Sequence, residues 1–266
     1  MDVQLVGILN LSPDSFSDGG LYAGAGQSLQ ARVDRACRLV EEGARWVDVG
    51  GESTRPGAQP VSVAEELDRV IPVVEGIVAQ GIQVSVDTRK AEVARAALDA
   101  GAQVINDVAG FEDPEMVEAV ASAGAGAVVM HMRGVPQTMQ QDTQYGDVLG
   151  EVRDTLSARI GRLRQAGVRQ IWADPGIGFG KSARQCAELI ARLSELQGLG
   201  VPLYVGASRK SFISGLAGPM PTQERLPGSL AAAGAAVLAG AQVLRVHDVA
   251  ETRQFLRVFA ACRGAA

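Results

Sequence analysis

The chain has 266 residues, of which 47% are hydrophobic and 21% charged, a balance typical of globular proteins. Its net charge of -5 gives no sequence-wide electrostatic basis for binding nucleic acid, although a few local arginines could still bind a small anion. Cys37, Cys186 and Cys262 lie far apart, which argues against a disulfide framework and favours the cytoplasm. No uninterrupted apolar run reaches the roughly 18 residues of a membrane span, and no signal peptide is expected.

Eight apolar, β-branched runs recur along the chain. They are near-continuous rather than alternating, which is typical of parallel strands covered on both faces. In chain order the predicted strands are Leu5–Leu9, Trp46–Val49, Ile82–Val86, Val104–Ile105, Ala127–Met130, Ile171–Ala173, Leu203–Val205 and Val243–Val246. Amphipathic segments between them predict helices, for example at Glu65–Gln80, Glu92–Ala100, Pro114–Ala123 and Val148–Gln165.

A glycine precedes most of these strands and indicates where each helix ends, because glycine readily adopts the left-handed conformation of a helix terminus. The six positions are Gly43, Gly81, Gly101, Gly124, Gly167 and Gly240. Eight such units without a linker predict one domain over residues 1–266, an α/β chain folded as a (β/α)8 TIM barrel, whose usual size is about 250 residues. The structural alternative is a doubly wound open sheet.

Two connections are longer than the usual two to six residues. They cover residues 11–27 after the first strand and residues 51–62 after the second. Both directly follow strands, so both are predicted on the catalytic face of a barrel.

Nearly every predicted strand ends in a polar residue. These residues are Asn10, Asp48, Asp87, Asn106, His131, Asp174, the run Ser208–Lys210, and Arg245 with His247. Because the carboxyl ends of parallel barrel strands share one rim, we expect these scattered side chains to converge on a single pocket.

The strand-end residues divide by chemistry. Asp87, Asn106 and Asp174 suit a flat heterocycle with several N–H donors, although Asp and Asn also favour caps and loop starts. Arg245 and His247 lie two apart and point the same way, which predicts an anion site. The alternative for this pair is a salt bridge to Asp248 or to a carboxylate of the barrel.

Three further segments contribute to the predicted rim. Ser53–Gly57 contains Thr54 and Arg55, which resemble a second clamp on an anion. Lys210 could reach a carbonyl or ring nitrogen of a bound heterocycle. Asp174–Ser182 is not a Walker A loop, because Pro175 stands where that motif requires glycine. The glycines of this segment predict that a flat ligand approaches the backbone closely, with Phe179 as a wall.

The two histidines give no separate functional signal. His131 can be interpreted as a hydrogen-bonded core residue, and two histidines on different strands do not predict a catalytic triad or a multi-histidine metal site.

Eight segments together resemble the dihydropteroate synthases, from residue 7 to residue 249 and in the same order. They are Asn10–Gly20, Asp48–Gly57, Ser85–Thr88, Ile105–Val108, Met130–Met132, Asp174–Lys181, Ser208–Ser211 and Arg245–Val249. Ser12 replaces the threonine usual in that family and keeps the hydroxyl.

The resemblance implies a reaction and a division of the site. A dihydropterin pyrophosphate would lose pyrophosphate and be captured by the amine of p-aminobenzoate. The pterin would contact Asp87, Asn106, Met130, Asp174, Lys210 and Arg245. The pyrophosphate would contact Asn10, Thr54, Arg55, Arg245 and His247. p-Aminobenzoate would contact Phe16, Pro56, Phe179, Lys210 and Ser211. Arg245, Lys210, Asp87 and Asp174 would carry catalysis, and Asn10 would contact Mg2+. A homodimer and competition by sulfonamides are also implied.

Two other functions remain open at this stage. A pterin-barrel methyltransferase would share the Asp and Asn contacts but would not need the Thr54–Arg55 and Arg245–His247 anion sites. A catalytically silent relative would be expected to have lost polar residues of the first two loops, and this chain retains them.

Overall fold

The computed structural model describes residues 3–12 and 28–264, which form eight parallel strands separated by helices. The strands are β1 (Gln4–Asn10), β2 (Trp46–Gly50), β3 (Val84–Asp87), β4 (Val104–Asp107), β5 (Gly126–Met130), β6 (Ile171–Asp174), β7 (Tyr204–Val205) and β8 (Val243–Val246). The helices are α1 (Leu29–Glu42), α2 (Val63–Val78), α3 (Ala91–Asp99), α4 (Pro114–Ala123), α5 (Val148–Gln165), α6 (Ala183–Ala191), α7 (Ser211–Ala217), α8 (Leu226–Leu238) and α9 (Val249–Gly264). Every predicted strand is confirmed, with ends that differ by two residues at most.

The strands pair in chain order and close on themselves. The ladder runs β6-β5-β4-β3-β2-β1-β8-β7, all parallel. A bridge between Ala173 and Leu203 joins β6 to β7, supported by a 2.9 Å hydrogen bond from the Ala173 amide to Pro202. The predicted TIM barrel is therefore confirmed, and the open doubly wound sheet is excluded.

Side chains point alternately to the two faces of each strand, and the apolar ones therefore form two separate layers. On β2, Val47 and Val49 belong to the large core between the strands and the helices. Trp46 points the other way, into a second cluster that fills the barrel. This inner cluster consists of Val6, Trp46, Val104, Val128, Tyr204 and Val243, with Trp172 packed against it. Because it lies towards the strand starts, the polar residues farther along each strand form the next layer, towards the carboxyl ends.

The predicted helix-ending glycines adopt positive φ angles at all six positions. At the end of α4, Gly124 has φ 63° and ψ 24°, and its amide bonds to the carbonyl oxygens of Val120 and Ala121. This left-handed turn redirects the chain into β5 within two residues. At these six positions the turns from helix to strand are short, whereas residues 192–203 form a longer connection from α6 to β7. The 51–62 loop, which follows β2, lies at the opposite end of the barrel.

In the described ranges, 3–12 and 28–264, no helix is both long enough and apolar enough to cross a membrane.

Candidate active site

A cavity of about 350 Å³ opens at the carboxyl ends of the strands. Ten of the predicted site residues line it: Asn10, Thr54, Arg55, Pro56, Asp87, Phe179, Lys210, Ser211, Arg245 and His247. They come from β1, β3, β8 and the segments that follow β2, β6, β7 and β8. The expected convergence of distant strand ends on one mouth is confirmed in part. Asn10, Asp87, Ser208–Lys210, Arg245 and His247 line the cavity, whereas Asp48, Asn106, His131 and Asp174 do not.

Three predicted residues lie behind the cavity wall rather than on it. Asn106, Met130 and Asp174 are buried at the ends of β4, β5 and β6 and do not line the cavity. Met130 packs in a small cluster with Phe179, which does line it, and Asp174 accepts a 2.7 Å hydrogen bond from the Gly176 amide. Phe16, predicted to contact p-aminobenzoate, lies outside the described residues.

Arg245 is compensated by carboxylates of the barrel. Its Nε donates to Asp48 Oδ2 at 2.6 Å, and its Nη2 donates to Asp87 Oδ2 at 2.8 Å. Burial alone would lower the pKa of this guanidinium, but Asp48 and Asp87 raise it above its usual range. The salt bridge to a barrel carboxylate, left open as an alternative, is therefore what the structure contains. Asp248 pairs instead with Arg209.

The acidic strand-end residues lie in an environment that disfavours their charge. Burial raises the pKa of Asp87 to about 7, although Arg245 opposes the shift. Burial also raises the pKa of Asp174, opposed chiefly by the positive charge of Lys210. Asp87 Oδ1 is buried without a hydrogen-bond partner among the described residues. A buried acceptor of this kind is costly, so a donor on a bound ligand would satisfy it.

His247 is a neutral imidazole in this mouth. Burial lowers its pKa well below the usual range, and the charges of Arg245, Arg209, Arg55 and Lys210 lower it further. Its Nδ1 lies 3.0 Å from Ser208 Oγ. A neutral imidazole can offer one N–H to a ligand but no positive charge.

Lys210, which was predicted to contact both the pterin and p-aminobenzoate, is a buried cation of the cavity wall. Its Nζ donates to the carbonyl oxygen of Ile177 and lies 4.4 Å from the centre of the Phe179 ring. Burial lowers its pKa to about 8, opposed by Asp174. Lys210 therefore remains mostly protonated at neutral pH.

More cations than carboxylates line the cavity wall, although the chain as a whole is acidic. Five cationic side chains line the cavity, Arg55, Arg209, Lys210, Arg225 and Arg245, against two carboxylates, Glu52 and Asp87. A cleft lined by one sign of charge concentrates ligands of the opposite sign. The arrangement suits a ligand that carries a strongly anionic group.

Glu52 holds the loop of residues 51–62 on the rim. This buried carboxylate accepts from the Val61 amide at 2.9 Å and from Arg89 Nε and Lys90 Nζ at 2.8 Å each. Burial would raise the pKa of Glu52, but the bonds to Lys90 and Arg89 lower it overall. Because Glu52 and Val61 flank Thr54 and Arg55, the contact closes the loop around the predicted anion clamp.

Lys181 is a structural cation rather than a phosphate ligand. Its buried Nζ contacts the carbonyl oxygens of Gly176 (3.0 Å) and Phe179 (2.9 Å) and lies 3.0 Å from His131 Nδ1. Burial lowers the pKa of Lys181 to about 7 and that of His131 to about 3. The interpretation of His131 as a hydrogen-bonded core residue agrees with this geometry. Together the pair closes the loop that follows β6.

The glycines of this loop only partly match their predicted role. Gly178 lines the cavity, as close approach of a ligand would require. Gly176 does not line the cavity. Its φ is 69°, and a β-carbon at this position would lie 1.9 Å from the carbonyl oxygen of His131. Its glycine is required by backbone packing against the end of β5, not by a ligand.

Sequence reasoning missed several residues of the cavity wall, among them Met139, Thr222 and Arg225. Arg225 lies just before α8 and lines the cavity, donating to the carbonyl oxygens of Arg209 (3.0 Å) and Met220 (3.3 Å). No strand-end pattern marks it, because it belongs to the connection between α7 and α8. Asp48 was noted as a strand-end residue, but its contacts with the site could be found only from the strand register.

Comparisons with known proteins agree with this geometry. A sequence profile of the family described as pterin binding enzyme matches residues 6–247. The dihydropteroate synthase of Escherichia coli (strain K12) is 47% identical over 258 residues, which cover 96% of this chain and 90% of that protein. A crystal structure of the Yersinia pestis dihydropteroate synthase with a sulfonamide drug superposes with a TM-score of 0.92 at 42% identity, covering 99% of this chain and 95% of that one.

A second solved structure, the Xanthomonas albilineans dihydropteroate synthase with 4-aminobenzoic acid, gives a TM-score of 0.89 at 46% identity. It covers 98% of this chain and 93% of that chain. The likeness thus extends over the whole barrel, including every strand end that contributes to the mouth. The chain belongs to the pterin-binding enzyme family and, within it, to the dihydropteroate synthases.

Proposed function

We propose that this mouth condenses 6-hydroxymethyl-7,8-dihydropterin pyrophosphate with p-aminobenzoate, giving 7,8-dihydropteroate and pyrophosphate in folate synthesis. The excess of cations over carboxylates on the cavity wall carries the proposal, because it supplies what a departing pyrophosphate needs. The reaction is a transfer that forms a C–N bond to an aryl amine.

The pyrophosphate contacts are assigned to the side of the mouth formed by β1, β8 and the 51–62 loop. Arg55 and Arg245 supply forked, permanently charged donors, and Thr54 adds a hydroxyl. His247, held neutral, supplies an N–H without adding charge. These groups oppose the negative charge that grows on the leaving pyrophosphate.

The pterin is assigned to the acidic side of the mouth, against Asp87, with Asn106, Met130 and Asp174 behind it. Carboxylate and amide oxygens match ring N–H and amino donors. When ionised, Asp87 and Asp174 also favour positive charge on the ring. Lys210 and the Arg245 guanidinium complete this part of the site.

p-Aminobenzoate is assigned to the outer part of the cavity. Phe179 and Pro56 provide apolar walls, and Ser211 begins α7, where a hydroxyl and an amide can meet a carboxylate. Lys210, above the Phe179 ring, lies between this region and the pterin contacts. Phe16 remains a proposed contact from outside the described residues.

Mg2+ is proposed to bind together with the pyrophosphate. The described residues contain no group of three His, Cys, Asp or Glu side chains placed to hold a metal. A single oxygen, Asn10 Oδ1, nevertheless fits, because Mg2+ commonly takes one or two protein ligands and completes its shell with substrate phosphates and water. When bound, the ion would offset the charge of the leaving pyrophosphate.

The chemical step needs no general base from the protein. The bond between the pterin methylene carbon and the pyrophosphate oxygen breaks, and the oxygen keeps the electron pair. The resulting cation is delocalised over the pterin ring. The neutral amine nitrogen of p-aminobenzoate then gives its lone pair to that carbon and releases one proton to solvent.

The assay follows both products. Purified protein is incubated with the pterin pyrophosphate and p-aminobenzoate, with and without Mg2+, and both pyrophosphate and dihydropteroate are measured. We expect equimolar release that depends on both substrates. Pterin binding without pyrophosphate release would instead indicate a silent relative, and methyl transfer from a methylated folate would indicate the methyltransferase.

We also propose a cytoplasmic homodimer. Cys37, Cys186 and Cys262 are free thiols, as a reducing compartment would keep them. Sedimentation equilibrium should give twice the chain mass of 27.7 kDa; a species at the chain mass would contradict the dimer.

A further inference from the structure

Asp48 is a buried carboxylate at the centre of β2 that lies outside the cavity wall. It is fully buried, and none of its atoms lines the mouth. Its Oδ1 accepts a hydrogen bond from Ser85 Oγ on β3. Its Oδ2 accepts from Asn106 Nδ2 at 3.2 Å and from Arg245 Nε at 2.6 Å. Asp48 thus links its own strand to residues on three others, and two of those residues, Asn106 and Arg245, are assigned to the pterin contacts.

The contact with Asn106 fixes which end of the amide faces the ligand. An ionised carboxylate only accepts hydrogen bonds, so the NH2 group of Asn106 must face Asp48. The amide oxygen is then left as the acceptor for a ring N–H. Without Asp48, the amide could rotate and present a donor where the pterin also has one.

The contact with Arg245 fixes the plane of the guanidinium. Nε is bound to Asp48 and Nη2 to Asp87 at 2.8 Å, so two carboxylates from neighbouring strands hold the fork at two points. Because Arg245 lines the mouth, its remaining N–H groups are available to a ligand there. A guanidinium held at one point would lose this direction.

We propose that Asp48 is a positioning residue of the enzyme, which acts through Asn106 and Arg245 to orient the donors and acceptors that bind the pterin pyrophosphate. This role rests on the proposed function. It differs from the role of Asp87, which lines the mouth and is assigned to direct contact with the ligand.

The test compares Asp48→Asn with Asp107→Asn. Asp107 is also a buried strand-end carboxylate, but it accepts from the Ala109 and Phe111 amides at 2.8 and 2.6 Å and touches no residue of the wall through these bonds. Both substitutions remove one buried charge with little change in volume. Affinity for the pterin pyrophosphate is measured by calorimetry, the KM for p-aminobenzoate by steady-state kinetics, and the folded fraction by circular dichroism.

In Asp48→Asn we expect pterin pyrophosphate affinity to fall by about tenfold or more, as for a lost charge-assisted hydrogen bond. The KM for p-aminobenzoate should stay within about threefold, because the aryl contacts are not held by Asp48. Asp107→Asn should keep wild-type pterin affinity even where it melts earlier. Equal losses in the two variants, or wild-type affinity in Asp48→Asn, would overturn the proposal.

Two further measurements, on a second variant and on the wild-type protein, separate the remaining outcomes. If Asp48→Asn does not fold, Ser85→Ala replaces it: Ser85 bonds to Asp48 and lies off the wall, so a pterin-specific loss must pass through Asp48. Unchanged affinity in Ser85→Ala would then reject the role. Failure of the wild-type protein to bind or convert the pterin pyrophosphate would instead reject the proposed function.

Discussion

Arg245 combines a structural and a chemical role, so the choice of substitution decides what an experiment measures. Arg245→Ala leaves Asp48 and Asp87 buried without their cation and should cost about 3–5 kcal/mol of unfolding free energy. Arg245→Lys keeps the charge but cannot bond to both carboxylates with a planar fork. We expect it to lower kcat/KM for the pterin pyrophosphate at least about tenfold, measured by initial rates.

Urea unfolding provides the control for this pair of variants, since Arg245→Lys should lose less stability than Arg245→Ala. Near wild-type kcat/KM in a folded Arg245→Lys variant would show that a point charge is sufficient and that the fork has no chemical role.

Lys181 should make the stability of the fold depend on pH. Burial lowers its folded pKa to about 7, below its value of 10.5 as a free side chain. Between these values the unfolded chain binds the extra proton, so unfolding free energy should rise with pH by roughly 2 kcal/mol from pH 7 to 9 through this group. Lys181→Met removes the contribution, and the difference between the two curves, from urea titrations, isolates it.

Lys181→Met also removes the lysine donor from His131 Nδ1 and from the carbonyl oxygens of His131, Gly176 and Phe179, so the variant should be less stable at every pH. Wild-type and variant curves that run parallel from pH 7 to 9 would contradict the assignment of the titration to Lys181.

The sequence predicts that a residue belongs to the site where its position along a strand decides which way its side chain points. Arg245 on β8 and His247 just after it lie two residues apart, and both line the mouth. Pairing was not predictable in the same way. The Arg245–Asp48 contact joins residues 197 positions apart, and it follows from the register of β8, β1 and β2, which no local pattern contains.

At the scale of elements, the 51–62 loop depends on Glu52 for its shape. In Glu52→Gln a neutral amide replaces the carboxylate that binds Arg89, Lys90 and the Val61 amide. The loop should loosen around Thr54 and Arg55, and affinity for inorganic pyrophosphate should fall about fivefold or more by calorimetry.

Glu115→Gln is the matched control, because exposed Glu115 on α4 pairs with exposed Arg95 on α3 and this pair does not involve the 51–62 loop. It should bind pyrophosphate as the wild type does. Equal affinity in the Glu52→Gln and Glu115→Gln variants would mean that the loop keeps its shape without the Glu52 carboxylate.

The predicted strands ended early in several places for one physical reason. Val104–Ile105 was predicted from apolar residues, whereas β4 continues through Asn106 and Asp107. Polar side chains at strand ends still have backbone groups that join the ladder, since hydrogen bonding in a sheet does not depend on the side chain. Composition therefore locates a strand better than it locates its end.

For the whole molecule, eight repeated strand-helix units were enough to predict a closed barrel. Where the ring is weakest was not predictable, because closure depends on strand tilt and register. The structure places that point between β6 and β7. β7 has two residues, and within the described part of the chain it is joined to β6 by the bridge from Ala173 to Leu203 and the Ala173 to Pro202 hydrogen bond.

The cavity lies at the carboxyl ends of β6 and β7, so a bound ligand should stabilise the pairing of these two strands. Asp174 ends β6, Lys210 follows β7, and a pterin that contacts both would connect the two strands in addition to the Lys210–Ile177 bond. We expect hydrogen exchange at residues 173 and 203–205 to slow about tenfold or more with saturating pterin pyrophosphate, measured by mass spectrometry of overlapping peptides. p-Aminobenzoate alone, assigned to the outer part of the mouth, should slow it little. Equal protection by both ligands, or none by the pterin, would place the pterin away from Asp174 and Lys210.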